Sequence, residues 1–353
     1  MDSTKRDIKS MTLEELAAFL RELGQPAFRA KQVYAWLHSR LVTSFDQMTD
    51  LPKSLRAVLE ERCLLPVVQV EKKLCSQLDE TVKYLFRLPD GECVEAVLME
   101  YRHGTSLCIS TQVGCRMGCA FCASTLGGLV RSLAPSELLE EVYAAQRDSG
   151  KRVDSLVLMG IGEPLDNYDN VVRFLRLLSS PEGLNLSLRH VSLSTCGLVD
   201  QIDRLAQEKM GLTLSISLHA TDDATRSEIM PVNRRWPMEE LLAACKRYFA
   251  VTGRRVSFEY ALIAGVNDSP QQARQLARLL DGFGCHVNLI PVNKVKERPI
   301  NRRSSREAIA AFAATLQKLG VNATVRRELG ADINAACGQL RREHREEGAW
   351  DHA

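Results

Sequence analysis

The chain has 353 residues, 45% hydrophobic and 25% charged, a composition that predicts about two ordinary globular domains. Its 21 Gly and 12 Pro are too few for a fibrous or low-complexity chain, and a net charge of +2 singles out no class of partner. The polar opening MDSTKRDIKS lacks the apolar region of a secretory signal, and no apolar run reaches the ~18–20 residues of a bilayer span, so a soluble, cytoplasmic protein is expected.

Residues 1–65 read as a small helical domain. TLEELAAFLRELG (12–24) carries Leu13, Leu16, Ala17, Leu20 and Leu23 at helical spacing, with Gly24 as a stop. FRAKQVYAWLHSR (28–40) and PKSLRAVLEERC (52–63) continue the pattern. Residues 66–104 read as a short β-rich linker, with Pro89-Asp90-Gly91 as a turn between two apolar runs. From residue 105 to 345 the texture is α/β. The runs SLCIST (106–111), SLVLMG (155–160), HVSLST (190–195), LTLSISLH (212–219), RVSFEYALI (255–263) and HVNLIPV (286–292) alternate with amphipathic helices such as PSELLEEVYAAQRDS. VNATVRRE (321–328) adds a possible last strand. Six βα units predict a parallel sheet, either an open, partial (β/α)6 barrel or a doubly wound sheet. Ligands in both gather at the carboxyl ends of the strands.

The eleven cysteines include a cluster, Cys115, Cys119 and Cys122, in VGCRMGCAFCAS. An odd number of cysteines without a secretion signal argues against a disulfide framework and towards metal binding or catalysis. The spacing C-x3-C-x2-C is compatible with an iron–sulfur cluster, with zinc and with unligated thiols. Zinc sites usually draw on two cysteine pairs or on added histidines. Three thiolates on a [4Fe–4S] cluster instead leave one iron open, a geometry suited to reductive cleavage of S-adenosylmethionine. A basic stretch, residues 294–347, holds twelve Lys/Arg against seven Asp/Glu, including Arg302, Arg303, Arg306, Arg326, Arg327, Arg341, Arg342 and Arg345. It fits either phosphate contacts or a solvated surface.

The cysteine loop after the first core strand, with Phe121 before its last cysteine, resembles the radical S-adenosylmethionine superfamily. Three segments narrow this: LCISTQVGCRMGCAFCAS, MGIGEPLDNYDNV and GADINAACGQL. With SLHATDDATRSEIMPVNRRWP (217–237), they make residues 10–345 similar to the RlmN/Cfr family of radical S-adenosylmethionine RNA methyltransferases. The resemblance implies a partial (β/α)6 barrel with an RNA-contacting N-terminal accessory domain. The implied cofactors are a [4Fe–4S] cluster on Cys115, Cys119 and Cys122 and two S-adenosylmethionine molecules per turnover. Gly162 and Glu163, with Ser194, Ser217, Leu218, His219 and Asn293, are the implied cofactor contacts. Pro164 matches the adenine-C2 branch, where C8-methylating members carry Ala. The implied substrates are an adenosine in the peptidyl-transferase region of 23S rRNA and the adenosine 3′ of the anticodon in tRNAs. An electron donor such as flavodoxin is implied as a partner, no membrane is involved, and a monomer is expected.

The resemblance also assigns catalytic roles. Cys337 takes a methyl group from S-adenosylmethionine, and a radical generated from a second molecule removes hydrogen from that methyl. The resulting methylene radical adds to C2, a carbon too electron-poor for polar methylation. Glu95 removes the C2 proton, and Cys108 then attacks the Cys337 sulfur, leaving a Cys108–Cys337 disulfide. Residue by residue, blander readings stay open: buried cysteines are commonly core, and Glu95 on a strand suits a solvent-facing position. Cys63, Cys75, Cys93, Cys196, Cys245 and Cys285 match no functional position and are expected to be structural. The rival functions are a C8-methylating enzyme of the same fold and a non-catalytic, zinc-stabilised RNA-binding protein.

Overall fold

The computed structural model describes residues 5–293, 298, 300 and 302–333. Cys337 and the basic residues Arg341, Arg342 and Arg345 lie outside the described residues.

Among the described residues, ten strands form the main sheet: β1 (Gln69–Cys75), β2 (Val82–Arg87), β3 (Cys93–Tyr101), β4 (Gly104–Cys108), β5 (Ser155–Leu158), β6 (Val191–Thr195), β7 (Thr213–Ser217), β8 (Ser257–Leu262), β9 (His286–Pro291) and β10 (Ala323–Val325). They lie side by side in chain order from β1 at one edge to β10 at the other. The pairs from β1 to β4 are antiparallel, and those from β4 to β10 are parallel.

The unreversed order separates the two architectures that the sequence pattern allowed. A doubly wound sheet reverses direction at a switch point. Here every crossover moves the same way, so right-handed connections bring the helices to one face. That winding is a partial (β/α) barrel of six units with β10 as a seventh parallel strand. The crossovers are α4 (Pro135–Ser149), α5 (Tyr168–Leu178), α6 (Val199–Glu208), α7 (Asp223–Ile229) with α8 (Met238–Thr252), α9 (Pro270–Leu279) and α10 (Arg306–Lys318). They follow the N-terminal helices α1 (Leu13–Glu22), α2 (Phe28–His38) and α3 (Lys53–Arg62).

Alternation along the strands sorts the side chains. Val191, Leu193, Leu214, Ile216, Phe258, Tyr260, Val287 and Leu289 enter the same apolar core as Leu138, Val171, Ile202, Leu241 and Leu276 of the helices. The intervening Ser192, Ser194, Ser215, Ser217, Ser257, Glu259, His286 and Asn288 occupy the opposite, inner face. The serine alternation in VSLST and TLSIS therefore encodes a polar inner surface rather than a filled barrel.

The 66–104 stretch, expected as a linker, is hydrogen-bonded into the main sheet through the β3–β4 pairing. Its turn sits where Pro89-Asp90-Gly91 predicts, with the Gly91 N–H donating to the Leu88 carbonyl at 2.9 Å. The N-terminal helices also join the common core. Buried Lys9 donates to Glu140 of α4 at 2.5 Å and to the Pro66 carbonyl at 2.7 Å. Buried His38 meets the Tyr143 hydroxyl of α4 at 2.8 Å. Among the described residues no helix is long and apolar enough to cross a membrane.

Candidate active site

The three clustered cysteines sit on a loop closed by a small antiparallel pair, Gln112–Gly114 with Leu129–Ser132. The Cys115 N–H donates to the Gly128 carbonyl at 2.9 Å, pinning the loop base. Gly114, at φ +80°, is required there, because a Cβ would lie 2.0 Å from that same carbonyl oxygen. Thr125 Oγ1 donates to the carbonyls of Cys119 and Cys122, and the Ala120 N–H reaches the Ile229 carbonyl at the end of α7. Cys115 and Cys119 are buried and Cys122 is half-buried.

Burial pushes the Cys115 thiol up to about 12 and Cys119 higher still, and the neighbouring cysteines add to both effects. Left to themselves these sulfurs stay protonated at neutral pH. A cationic, thiophilic group is what would make thiolates favourable there, so three soft donors on one loop fit an iron–sulfur cluster. Among the described residues, no three His, Cys, Asp or Glu side chains are grouped to hold a single metal ion.

The segment after β5 runs directly beside this loop. Gly162, at φ +107°, lies so close to Gln112 that a Cβ would be 2.7 Å from its Cβ and 2.8 Å from its backbone nitrogen. Gln112, fully buried, accepts from the Glu163 N–H at 2.9 Å and donates to Asp166 at 2.9 Å. Asp166 in turn pairs with Arg116 of the cysteine loop. Glu163 is buried, with one oxygen accepting from the Leu165 N–H at 3.0 Å and the other from the Cys196 N–H at 2.8 Å. Burial raises its carboxyl above the usual range, while those hydrogen bonds oppose the shift. Glu163 thus ties the end of β5 to the end of β6, whatever ligand it also meets. Cys196, expected to be merely structural, stands at this junction. Cys75, by contrast, is exposed rather than packed in a core.

At the end of β7, Ser217 is half-buried and Leu218 packs its side chain into the apolar core, leaving only its backbone available to a ligand. His219 has φ +56° and is buried, its ring edge-on to Phe121 of the cysteine loop at 4.8 Å between centroids. Its Nδ1 accepts from the Ala261 N–H at 2.9 Å, which assigns the ring proton to Nε2. Burial, helped by Arg226, lowers its pKa to about 3, so this imidazole is neutral. Arg226 of α7 is fully buried and donates to the carbonyls of Leu218, Cys196 and Ser217 and to Asn233. It locks the ends of β6 and β7 together beside Cys119. Ser194 is half-buried on the inner face of β6, and Asn293 is exposed two residues past β9.

Cys108 and Glu95 share the inner face at the antiparallel side of the sheet. Cys108 is buried with Val97, Met99, Val157, Met159 and Leu329. Glu95 does not face solvent: it is fully buried, with Oε2 3.1 Å from the Nζ of an equally buried Lys83. Lys83, Gln112 and Arg226 were not singled out from the sequence. Only Lys83 left a local signal, a lone cation inside the apolar run VKYLF. Leu329 belongs to a segment tied to the β1–β2 turn, where the Gly330 N–H donates to Asp79 at 3.0 Å and Asp332 accepts from Ser76 and the Gln77 N–H, both at 2.7 Å.

Comparison with known proteins decides the family. Residues 6–65 match the ribosomal RNA large subunit methyltransferase N-terminal domain, and residues 109–280 match the radical SAM superfamily. A probable dual-specificity RNA methyltransferase RlmN of Lachnoclostridium phytofermentans is 55% identical over 340 residues, covering 96% of this chain and 95% of the relative. The chain belongs to the RlmN family. Another member, from Desulforamulus reducens, is 49% identical over 97% of this chain and 98% of its own length. A crystal structure of a radical SAM methyltransferase from Sphaerobacter thermophilus superposes with a TM-score of 0.91 at 46% identity, covering 95% of this chain and 98% of the other. This RlmN-family chain is therefore a radical SAM RNA methyltransferase, and its superfamily implies a [4Fe–4S] cluster and S-adenosylmethionine.

Proposed function

We propose that this enzyme methylates C2 of adenine in 23S rRNA and in tRNA through a methyl carried on Cys337. The observation that carries the reading is the inner face itself: Cys108 and Glu95 lie on it together, and Leu329, eight residues before Cys337, packs against the small apolar cluster of Val97, Met99 and Cys108. From Ile333, the last described residue, four residues span at most about 14 Å to Cys337. The described segment that leads towards Cys337 is itself anchored, through Asp79, Ser76 and Gln77, which supports the role given to that thiol.

When bound on Cys115, Cys119 and Cys122, the cluster supplies the electron that cleaves S-adenosylmethionine to a 5′-deoxyadenosyl radical. Gly162 lets the chain after β5 approach the cysteine loop, where its backbone and Glu163 would meet the methionyl amino group. Ser194, Ser217, the Leu218 backbone, His219 and Asn293 would receive the rest of that molecule. Neutral His219 presents an Nε2–H donor, adding no positive charge beside a sulfonium. Cys337, as thiolate, would attack the methyl of one S-adenosylmethionine, with S-adenosylhomocysteine leaving, and the radical from a second molecule would remove one hydrogen atom from that S-methyl group, leaving as 5′-deoxyadenosine. The methylene would add to C2, and Glu95 would take the C2 proton while the adduct's unpaired electron goes back to the oxidised cluster, leaving a closed-shell thioether. Cys108 then attacks the Cys337 sulfur. The S–S bond forms as the S–C bond breaks, and the released carbon takes a proton to become the methyl group. A two-electron reductant must reopen the disulfide before the next turnover. An external one-electron donor such as flavodoxin, a cytoplasmic setting and a monomeric enzyme complete the proposal.

Cys108→Ala tests it. All steps before release remain possible, so cluster-loaded variant should accumulate protein covalently joined to RNA, visible as a nuclease-sensitive slow band on a denaturing gel. Multiple turnovers without that band would assign Cys108 to the apolar cluster alone.

A further inference from the structure

We infer that Lys83 is a positioning residue for the proton-transfer step, holding the Glu95 carboxylate ionised and oriented on the inner face. The inference rests on the proposed role of Glu95 as the base. The strand register sets the arrangement. Lys83 stands opposite Val97, and Val97 opposite Cys108, so Lys83 and Cys108 belong to one cross-strand row. Leu85 stands opposite Glu95. Ser110 Oγ, beyond the end of β4, donates to the Glu95 carbonyl at 2.7 Å, which puts Glu95 towards the carboxyl ends of the parallel strands relative to Cys108. The lysine thus reaches diagonally from the row of the resolving thiol to the base.

Stability does not explain the pair. Both side chains are at most 1% exposed, and a buried ion pair is commonly matched or bettered by apolar residues of similar volume. The surrounding runs, VKYLF and CVEAVLM, are otherwise built for such residues. Catalysis explains it better. A carboxyl in a dry site takes up a proton unless a cation accompanies it, and a protonated carboxyl cannot accept the proton of C2. Lys83 supplies that cation as a compact ammonium with three donors. In the step itself the C2 proton passes to the Glu95 carboxylate, and Lys83 keeps its own. Among the described residues, the other ionisable groups on this face of β1–β4 include Lys72 of β1, in the Glu95 row through Leu85, Arg87 of β2, opposite Cys93, Cys93 and Tyr101 of β3, and Cys108 of β4.

The test compares wild type with Lys83→Met, Lys83→Arg and the double variant Lys83→Met/Glu95→Gln, each loaded with its cluster; Lys83→Gln substitutes if the methionine variant does not fold. Infrared difference spectra of Lys83→Met against the double variant at pH 7 report the protonation of Glu95. A protonated carboxylic-acid band is expected there and not in wild type. With RNA, Lys83→Met should accumulate the covalent adduct at neutral pH. Its release rate should rise about tenfold per pH unit until Glu95 ionises. Lys83→Arg should restore the wild-type profile. A missing acid band overturns the hold of Lys83 on Glu95. A band accompanied by a wild-type pH profile overturns Glu95 as the base, and the positioning role with it.

Discussion

At the scale of single residues, the site is built from polar groups whose charge state is set by burial. His38 and His219 are both held near a pKa of about 3, chiefly by desolvation. Each is neutral when folded but takes a proton near pH 6.5 once unfolded. Between those values the unfolded chain binds more protons, so stability falls as pH drops below about 6.5. Glu163 and Glu259, whose pKa values burial raises, act in the opposite sense by gaining protons first in the folded state. A difference measurement isolates one histidine. Relative to His38→Gln, wild type should lose about 1.4 kcal/mol of unfolding free energy per pH unit between roughly pH 6 and 4. Urea unfolding at several pH values measures this, and a constant difference would contradict a buried neutral His38.

At the scale of elements, the contact between the cysteine loop and the segment after β5 is the tightest constraint. Gly162→Ala places a methyl against Gln112 and strains a backbone at φ +107°. The expected cost is about 1–3 kcal/mol. S-adenosylmethionine affinity should also weaken, because Gln112 holds the Glu163 N–H. Thermal unfolding and ligand titration check the two parts separately, and an unchanged variant on both counts would show that the contact yields. Much at this scale was legible in advance. The turn at Gly91, helix α4 at Pro135–Ser149 and the parallel strands appear where hydrophobic period and turn residues predict them. The cysteine cluster and the segment around Gly162 also lie past the ends of β4 and β5, where the sequence pattern puts them. Sequence period could not distinguish a singly wound from a doubly wound sheet, because both use the same local pattern and differ only in strand order. It also could not reveal Arg226 or Gln112. Their partners, such as Cys196 and Asp166, lie 30 and 54 residues away, and no local spacing encodes such a pairing.

At the scale of the whole molecule, the sheet separates two tasks. Its helix-covered face is continuous apolar core, shared with α1–α3, while its inner face is polar from β6 to β9 and carries Cys108, Glu95 and Lys83 near its antiparallel side. The N-terminal helices are fastened by the buried Lys9–Glu140 pair, with Arg147 and the Val68 N–H on the second carboxylate oxygen. Breaking one member of such a pair leaves a buried charge, so this junction is specific rather than a loose tether. The N-terminal helices and the candidate site are consequently parts of one folded body. The most direct test of the central claim is mass spectrometry of nucleosides from 23S rRNA and tRNA incubated anaerobically with cluster-loaded enzyme, S-adenosylmethionine and a low-potential reductant. The enzyme should form 2-methyladenosine in both RNAs, and Cys337→Ala should form none. A methyl group at C8, or methylated adenosine formed undiminished by Cys337→Ala, would contradict that claim.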